Sequence, residues 1–202
     1  TLETYVFGCP TATFLSCDIA DWLANTKTQP AFYLHDIIAK GWQDIGAVQP
    51  DFLPDVAPEL LTEHMRKSNF CSLPDWQGSP RETGFFARQN QHPHLQKFEN
   101  GLMARLLARL VDLAKIPSQI IASKPLEMPA GLGVIETARG RLFHMARVKN
   151  GVIVEYKILA PTEWNFHADG VTAQALKGLS QQQARVVVEA IDPCVEFEFI
   201  QA

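Results

Sequence analysis

Apolar side chains recur every three or four residues along most of the first two thirds of the chain, which is the spacing of amphipathic helices. The first predicted helix begins after Gly8-Cys9-Pro10 and contains Cys17, and its apolar face consists of Phe14, Leu15, Ile19, Trp22 and Leu23. A second helix is predicted from Ala31 to Ala47, and a short third helix from Pro58 to Arg66. The N-terminal part of the chain is therefore predicted to be helical.

The strongest helical pattern follows a stretch that predicts loops. Residues 68–94 are rich in Pro, Gly, Ser, Gln and Asn, which favours turns, and loops of this length are usually functional or mobile. The helical pattern then runs from Leu95 to Lys115, and Pro117 is predicted to end it because proline has no backbone N–H. One side of this helix carries charged side chains that we interpret as a solvated face: Arg105, Arg109 and Asp112.

After Pro129 the pattern changes to β-branched and aromatic residues. Two such runs, residues 134–148 and 152–159, flank Asn150-Gly151, and Asn-Gly is a strong signal for a β-hairpin. A final helix is predicted over Gln181 to Ala190, with Ser180 as its N-cap. The predicted fold class is α+β, mainly helical with a C-terminal β-hairpin.

Composition limits the domain organisation and the classes of function. The chain has 202 residues, of which 47% are hydrophobic and 20% charged, so it predicts one domain over residues 1–202, helical over 1–128 and carrying the hairpin and a terminal motif over 129–202. A net charge of −4 with scattered basic residues does not favour nucleic acid as a partner. No apolar run approaches the ~20 residues that span a bilayer, and no signal peptide is recognisable.

These observations predict a cytoplasmic protein with no membrane partner. Because the chain begins with Thr1 rather than methionine, we also expect that a natural N-terminal segment is missing. The cysteines are few and widely spaced, which favours reduced thiols over a disulfide scaffold: Cys9, Cys17, Cys71 and Cys194.

Most standard enzyme signatures are absent from the sequence. Gly131-Leu132-Gly133 lacks the third glycine of a dinucleotide loop, and there is no Walker A sequence, HExxH, intact CxxC or Gly-x-Ser-x-Gly. Three short polar motifs remain in the C-terminal third: Glu136-Thr137-Ala138-Arg139-Gly140, Ala160-Pro161-Thr162-Glu163-Trp164-Asn165 and Asp192-Pro193-Cys194.

In this order and at this spacing, the three motifs resemble the C-terminal half of the large subunit of nickel–iron hydrogenases. The upstream segment Glu82 to Arg88 resembles a further region of that family, so the resemblance runs from about Glu82 to Phe197. It implies a large-subunit-like fold. The family binds nickel and an iron that carries carbon monoxide and two cyanides, and Cys194 matches the first cysteine of its terminal pair. Phe197 and Ile200 stand where the family has the second cysteine and a metal-binding histidine.

The resemblance also implies which residues would bind the iron group. Arg139 corresponds to the arginine beside the cyanides, and Thr162 to a hydroxyl residue that donates a hydrogen bond to one of them. A metal-bound cyanide is an anionic acceptor, so a guanidinium and a hydroxyl suit it. Cys9 is a candidate second iron ligand, because it precedes a helix and a helix N-terminus stabilises a thiolate.

Each of these residues also has a plain structural interpretation. Cys194 would be a small buried residue, Cys9 a structural one, and Arg139 a partner of Glu136. Thr162 would cap the turn at the preceding proline.

Because this chain resembles the large subunit but retains only one cysteine of the terminal pair, it also resembles the HupK/HoxV family of hydrogenase maturation proteins. The resemblance implies a non-catalytic scaffold that transiently carries or assembles the Fe(CN)2(CO) group for the hydrogenase large subunit. Its partners would be that subunit and the iron-cofactor assembly chaperones. Two alternatives stay open at this point: a catalytic large-subunit-like redox protein or a fragment of one, and a metal-free docking module.

Overall fold

The computed structural model describes residues 1–122 and 128–200, and within them helices dominate over one small sheet. The predicted α+β class is confirmed. The predicted division at residue 128 lies beside the undescribed residues and stays a prediction. A π-helical turn, Glu3–Phe7, precedes the following elements: α1 Thr11–Ser16, α2 Ile19–Asn25, α3 Gln29–Ala39, α4 Pro58–Arg66, α5 Phe85–Gln89, α6 Leu102–Ala122, β1 Leu132–Thr137, β2 Gly140–Lys149, β3 Val152–Leu159, α7 Pro161–Asn165, α8 Val171–Ala175 and α9 Gln181–Ile191.

The first predicted helix is two helices, so the placement of Cys17 inside a helix is wrong. Cys17 is the C-cap of α1, and its backbone N–H donates to the carbonyl of Thr13. Asp18 then caps α2, because its Oδ1 accepts hydrogen bonds from the N–H groups of Ala20, at 2.8 Å, and Asp21, at 3.4 Å. An aspartate that accepts hydrogen bonds from the first N–H groups of a helix favours the start of a new helix over continuation of the preceding one.

The second predicted helix ends early, at Ala39 instead of Ala47, because Gly41 adopts a φ of +66° that turns the chain out of the helix.

The loop that follows determines where α6 begins. The N–H of Leu102 donates to the carbonyl of Ile45 at 3.0 Å, and the N–H of Met103 to that of Gln43 at 2.8 Å. These two carbonyls satisfy first-turn donors that have no partner within the helix. The helix therefore begins at Leu102 and not at Leu95.

The predicted solvated face of α6 is wrong. Arg105 is 1% exposed, forms an ion pair with Glu82 and lies 4.6 Å from the ring centroid of Phe86. Asp112 is also buried and accepts hydrogen bonds from Arg88, at 2.7 and 3.0 Å. The cause is the segment 68–94, for which the sequence predicts loops. This segment consists largely of turns, but it includes α5 and packs across this face of α6, where it supplies the partners that neutralise both charges.

The prediction that Pro117 ends this helix is also wrong, because α6 continues to Ala122. The proline removes one hydrogen-bond donor but displaces no packed neighbour, since residues 116–122 are exposed. The hydroxyl of Ser118 donates to the carbonyl of Lys115 at 2.8 Å within the same turn.

The predicted hairpin is confirmed as β2 and β3, joined by Asn150 and Gly151, which both have positive φ. However, the run 134–148 is not one strand. It contains β1 and β2, which pair antiparallel and give a three-stranded sheet in the order β1-β2-β3. The turn between them lies at Ala138 and Arg139, and it is possible because Gly140 has a φ of +131°.

The buried apolar side chains of the described residues form three clusters. The largest surrounds α6 with side chains from α1 to α3 and α5, the second lies between the sheet, α4 and α7, and a small third one joins α8 to α9. The prediction of α4 is confirmed at both ends. That of α9 is confirmed with Ser180 in a capping box with Gln183, and the helix ends one residue later than predicted. Over residues 1–122 and 128–200, no helix is long and apolar enough to cross a membrane.

The buried ion pair between Arg105 and Glu82 gives a stability prediction. Arg105→Met removes the cation and leaves the Glu82 carboxylate unpaired in the core, so we expect a loss of about 3–5 kcal/mol in the free energy of unfolding, measured by urea titration. Arg147→Met, which removes an exposed partner of Glu155, serves as the control and should cost less than about 1 kcal/mol. Similar losses for the two variants would contradict the structural role of the buried pair.

Candidate functional site

The terminal motif begins where α9 ends. Asp192 is the C-cap of that helix, in the left-handed conformation with a φ of 71°, and its N–H donates to the carbonyl of Val188 at 2.9 Å. Its Oδ2 lies 3.4 Å from Nε of Arg139 and 3.6 Å from Nη2 of Arg109. Two guanidinium groups from different parts of the fold therefore meet at one carboxylate, two residues before Cys194.

The side chain of Arg139 keeps most of its hydrogen-bonding capacity. It projects from the turn between β1 and β2, is 42% exposed, and donates no hydrogen bond to any of the described residues. Glu136 does not pair with it, because the carboxylate of Glu136 accepts from Arg141 at 2.6 Å and from Arg88 at 2.9 Å. The plain structural interpretation of Arg139 as the partner of Glu136 is therefore wrong.

Two glycines place the backbone of this turn against the Glu82 to Arg88 segment. A Cβ atom on Gly84, whose φ is +117°, would lie 2.8 Å from the carbonyl oxygen of Arg139. A Cβ atom on Gly140 would lie 2.6 Å from Cγ2 of Thr83. The close approach requires glycine on both sides, and it joins two of the regions that carry the family resemblance.

Asn165 attaches α7 to the same turn. Its Oδ1 accepts from the N–H of Thr83 at 2.9 Å, while its Nδ2 donates to the carbonyls of Thr83 at 3.0 Å and Arg139 at 3.4 Å. Thr162 lies three residues earlier on this short helix and is half-buried. Its hydroxyl makes no hydrogen bond within the described residues, and Ala160 is the N-cap of α7 without a side-chain cap. The interpretation of Thr162 as a turn cap is wrong.

Cys194 is exposed, whereas the other three cysteines are partly buried. The interpretation of Cys194 as a small buried residue is therefore wrong. After this residue the chain folds back along α9: Cζ of Arg185 lies 5.7 Å from the ring centroid of Phe197, and Phe199 lines a surface cavity with Ala184. Phe197, at the position of the family's second cysteine, thus packs on the helix.

Cys9 packs against the helical cluster, near Phe14 and Trp22. Burial raises the pKa of its thiol, and hydrogen bonds with Trp22 and Phe14 only partly oppose this. The direction is opposite to the thiolate stabilisation expected from the start of a helix. No contact of the described residues joins Cys9 to Arg139, Thr162 or Cys194, and in the same part of the chain no three His, Cys, Asp or Glu residues form a group that could hold a metal ion.

Sequence reasoning missed the roles of Arg109, Asn165 and Thr83. Arg109 lies at helical spacing on the face that we interpreted as solvated. Only its contacts with α9 distinguish it from a solvated residue. Asn165 and Thr83 are both buried polar residues within recognised motifs, yet their contact joins positions 82 residues apart. Gly84, in the stretch predicted to form loops, and Gly140, at the end of a motif within the run 134–148, were the available signal.

Comparison with known proteins finds sequences similar to this chain. The family described as nickel-dependent hydrogenase matches residues 85–176. The hydrogenase expression/formation protein HupK of Bradyrhizobium diazoefficiens is 34% identical over 173 residues, which cover 74% of this chain and 47% of the relative. HoxV of Cupriavidus necator is 28% identical over 209 residues, covering 89% of this chain and 54% of HoxV. This chain is a homologue of the HupK/HoxV proteins.

The relationship extends to hydrogenase subunits. Coenzyme F420 hydrogenase subunit alpha of Methanocaldococcus jannaschii is 42% identical over 172 residues, covering 79% of this chain and 39% of that subunit. The solved nickel–iron–selenium hydrogenase of Desulfovibrio vulgaris Hildenborough has a TM-score of 0.47 and 22% identity, over 60% of this chain and 36% of the solved chain. The chain spans about half the length of the HupK and HoxV relatives that it matches.

The glycine contact at the Arg139 turn gives a second stability prediction. Gly84→Ala should lower the free energy of unfolding by about 2 kcal/mol or more, because the methyl group meets backbone atoms as well as an unfavourable φ. Gly41→Ala is the matched control: its φ is +66° and no atom lies within 4 Å, so only the conformational cost of about 1 kcal/mol remains. Equal losses in thermal or urea unfolding would contradict the close approach.

Exposure predicts the order in which the thiols react. Cys194 should be alkylated by iodoacetamide roughly tenfold faster than the others, because it is exposed and burial raises the pKa of the other three thiols: Cys9, Cys17 and Cys71. Peptide mass mapping at timed quenches measures this, and Cys194→Ser should remove the fast phase. A fast phase that survives the substitution would place the reactive thiol elsewhere.

Proposed function

We propose that this chain is a non-catalytic accessory protein of nickel–iron hydrogenase maturation. In this role it would transiently carry or assemble the Fe(CN)2(CO) group for the hydrogenase large subunit. The observation that carries the proposal is the 3.4 Å contact between Nε of Arg139 and Oδ2 of Asp192, two residues before the exposed Cys194. The guanidinium in this contact donates no hydrogen bond to any of the described residues. The names of the HupK and HoxV relatives support the maturation role.

The residues fit such a cargo chemically. A thiolate at Cys194 is a suitable ligand for iron, and its exposure makes it reachable by a donor and an acceptor protein. The guanidinium of Arg139 has N–H groups to donate to a cyanide nitrogen, and the hydroxyl of Thr162 is a second unused donor. No hydrogen bond or ion pair of the described residues joins Cys9 to this group, so a second iron ligand at Cys9 stays a prediction.

A single thiolate from the terminal motif suits a reversible role. Phe197 packs on α9 where the family has its second cysteine, and Ile200 replaces the histidine. With fewer protein ligands, the iron group would be released more readily than from a complete site. The proposed partners are the hydrogenase large subunit and the iron-cofactor assembly chaperones. Nucleic acid and membranes are not expected partners, and a cytoplasmic location stays a prediction.

A catalytic role is the second candidate. The similarity to coenzyme F420 hydrogenase subunit alpha favours it. The replacement of a cysteine by Phe197 argues against it, since hydrogen activation in the family uses the complete set of cysteine ligands. A metal-free docking module would retain the fold but would not need Arg139 and Cys194 to remain free.

Infrared spectroscopy tests the proposal directly. The full natural chain, purified anaerobically after coexpression with the maturation proteins, should show cyanide and carbonyl stretching bands. Cys194→Ala should abolish them, because the thiolate ligand is lost, and Arg139→Gln should shift the cyanide bands, because a hydrogen-bond donor is lost.

Cys71→Ala is the matched control, since Cys71 is a partly buried cysteine that packs against the second hydrophobic cluster. Bands that are absent from the natural chain, or that persist unchanged in Cys194→Ala, would overturn the carrier role. Hydrogen-dependent dye reduction by the natural chain would instead support the catalytic candidate.

A further inference from the structure

Arg109 of α6 reaches across to the last turn of α9. Its Nη2 donates to the carbonyl of Glu189 at 3.0 Å and to that of Ala190 at 3.3 Å, and it lies 3.6 Å from Oδ2 of Asp192. The last carbonyls of a helix have no partner within the helix, so a cation at this end satisfies them and also interacts favourably with the helix dipole. Arg109 thereby anchors the end of α9 and the carboxylate that follows it.

The position of Arg109 is fixed, and that of Arg139 is not. The guanidinium of Arg109 lies 4.9 Å from the ring centroid of Phe85, a buried residue, and it makes the two carbonyl contacts. The guanidinium of Arg139 has only its contact with Asp192 within the described residues. The Nε atoms of both arginines are buried without a hydrogen-bond partner, so the difference lies in their terminal N–H groups. The two arginines therefore differ in what they can still bind.

The local charges do not cancel. Asp192 supplies one negative charge to two guanidinium groups. The neighbouring carboxylate of Glu189 lies 3.7 Å from Arg185, and that of Glu136 is engaged by Arg88 and Arg141. One positive charge is left over at the Asp192 contact, two residues before Cys194, while the exposed Glu196 lies two residues after it. An anionic group approaching this cysteine would experience that charge.

We propose that Arg109 is a positioning residue that engages the carboxylate of Asp192, so that the guanidinium of Arg139 stays available to an anionic group held at Cys194. Without Arg109, Asp192 would pair with Arg139 alone, and both the free donor and the surplus charge would be lost. This inference rests on the proposed function for its biological meaning, but its physical content concerns only the charge beside Cys194.

Two thiol reagents of different charge measure that property. The dianionic reagent 5,5′-dithiobis(2-nitrobenzoate) and the neutral reagent 4,4′-dithiodipyridine both react with Cys194, and the Cys194→Ser protein supplies the background. In each case the thiolate attacks the disulfide, forms a mixed disulfide and releases the other half of the reagent as its thiolate. The ratio of the two rate constants reports the local potential, because the thiolate fraction affects both reactions alike.

Arg109→Gln should lower the anionic-to-neutral ratio by about threefold or more at low ionic strength, and the difference should shrink above roughly 0.15 M salt. Arg109→Lys should retain most of the ratio, since the charge remains, while Asp192→Asn should raise it. Arg147→Gln, which changes an exposed arginine on β2, should leave it unchanged. Circular dichroism checks that each variant folds. If Arg109→Gln does not fold, Asp192→Asn still tests the inference.

An unchanged ratio in Arg109→Gln, or a fall in Asp192→Asn, would overturn the inference. Neither measurement uses iron. If the ratios follow the expectation but the infrared bands are absent, the carrier role fails and the role of Arg109 stands. If the bands are present and depend on Cys194 but the ratios do not change, the role of Arg109 fails alone.

Discussion

The carboxylate of Asp192 is the contact on which the geometry of the candidate site depends. It joins the end of α9 to Arg109 of α6 and to Arg139 of the sheet, at 3.6 and 3.4 Å. The left-handed backbone at Asp192 costs about 1 kcal/mol for a residue other than glycine. The carbonyl contacts of Arg109 and the two ion pairs offset that cost. As a result, the chain leaves the helix in one direction, and Asp192 meets Arg139 two residues before the exposed Cys194.

At the Arg139 turn, buried polar contacts join the largest hydrophobic cluster to the cluster beneath the sheet. Gly84 and Gly140 allow the backbone of the Glu82 segment to approach the Arg139 turn, and Asn165 bonds to both sides. The same segment inserts Glu82 against Arg105 in the core of the helical cluster. Because these contacts are buried and directional, a small displacement of one element would move the arginine and the threonine together.

Much of the fold follows from the sequence where local signals are strong. The Asn150-Gly151 turn and the Ser180 cap determine the hairpin and α9, and Pro58 marks the start of α4. The failures share a cause: tertiary contacts override a local pattern. Arg105 and Asp112 fit a solvated face until the Glu82 to Arg88 segment covers them. The motifs located Arg139, Thr162 and Cys194, but the contact of Asp192 with Arg109 connects α6 with the terminal turn and has no local signature.

In the proposed function, Cys194 would supply one thiol, and Arg139 and Thr162 would supply donors for an anionic ligand. The iron group would then pass through this chain on its way to the hydrogenase large subunit. The most direct measurement loads the natural chain with an iron group carrying ¹³C-labelled cyanide, mixes it with the metal-free large subunit, and separates the two proteins. We expect the isotope-shifted infrared bands to leave this chain and to appear on the large subunit, with no transfer from Cys194→Ala. Equal labelling of the large subunit by the Cys194→Ala protein, or in the absence of this chain, would contradict the account.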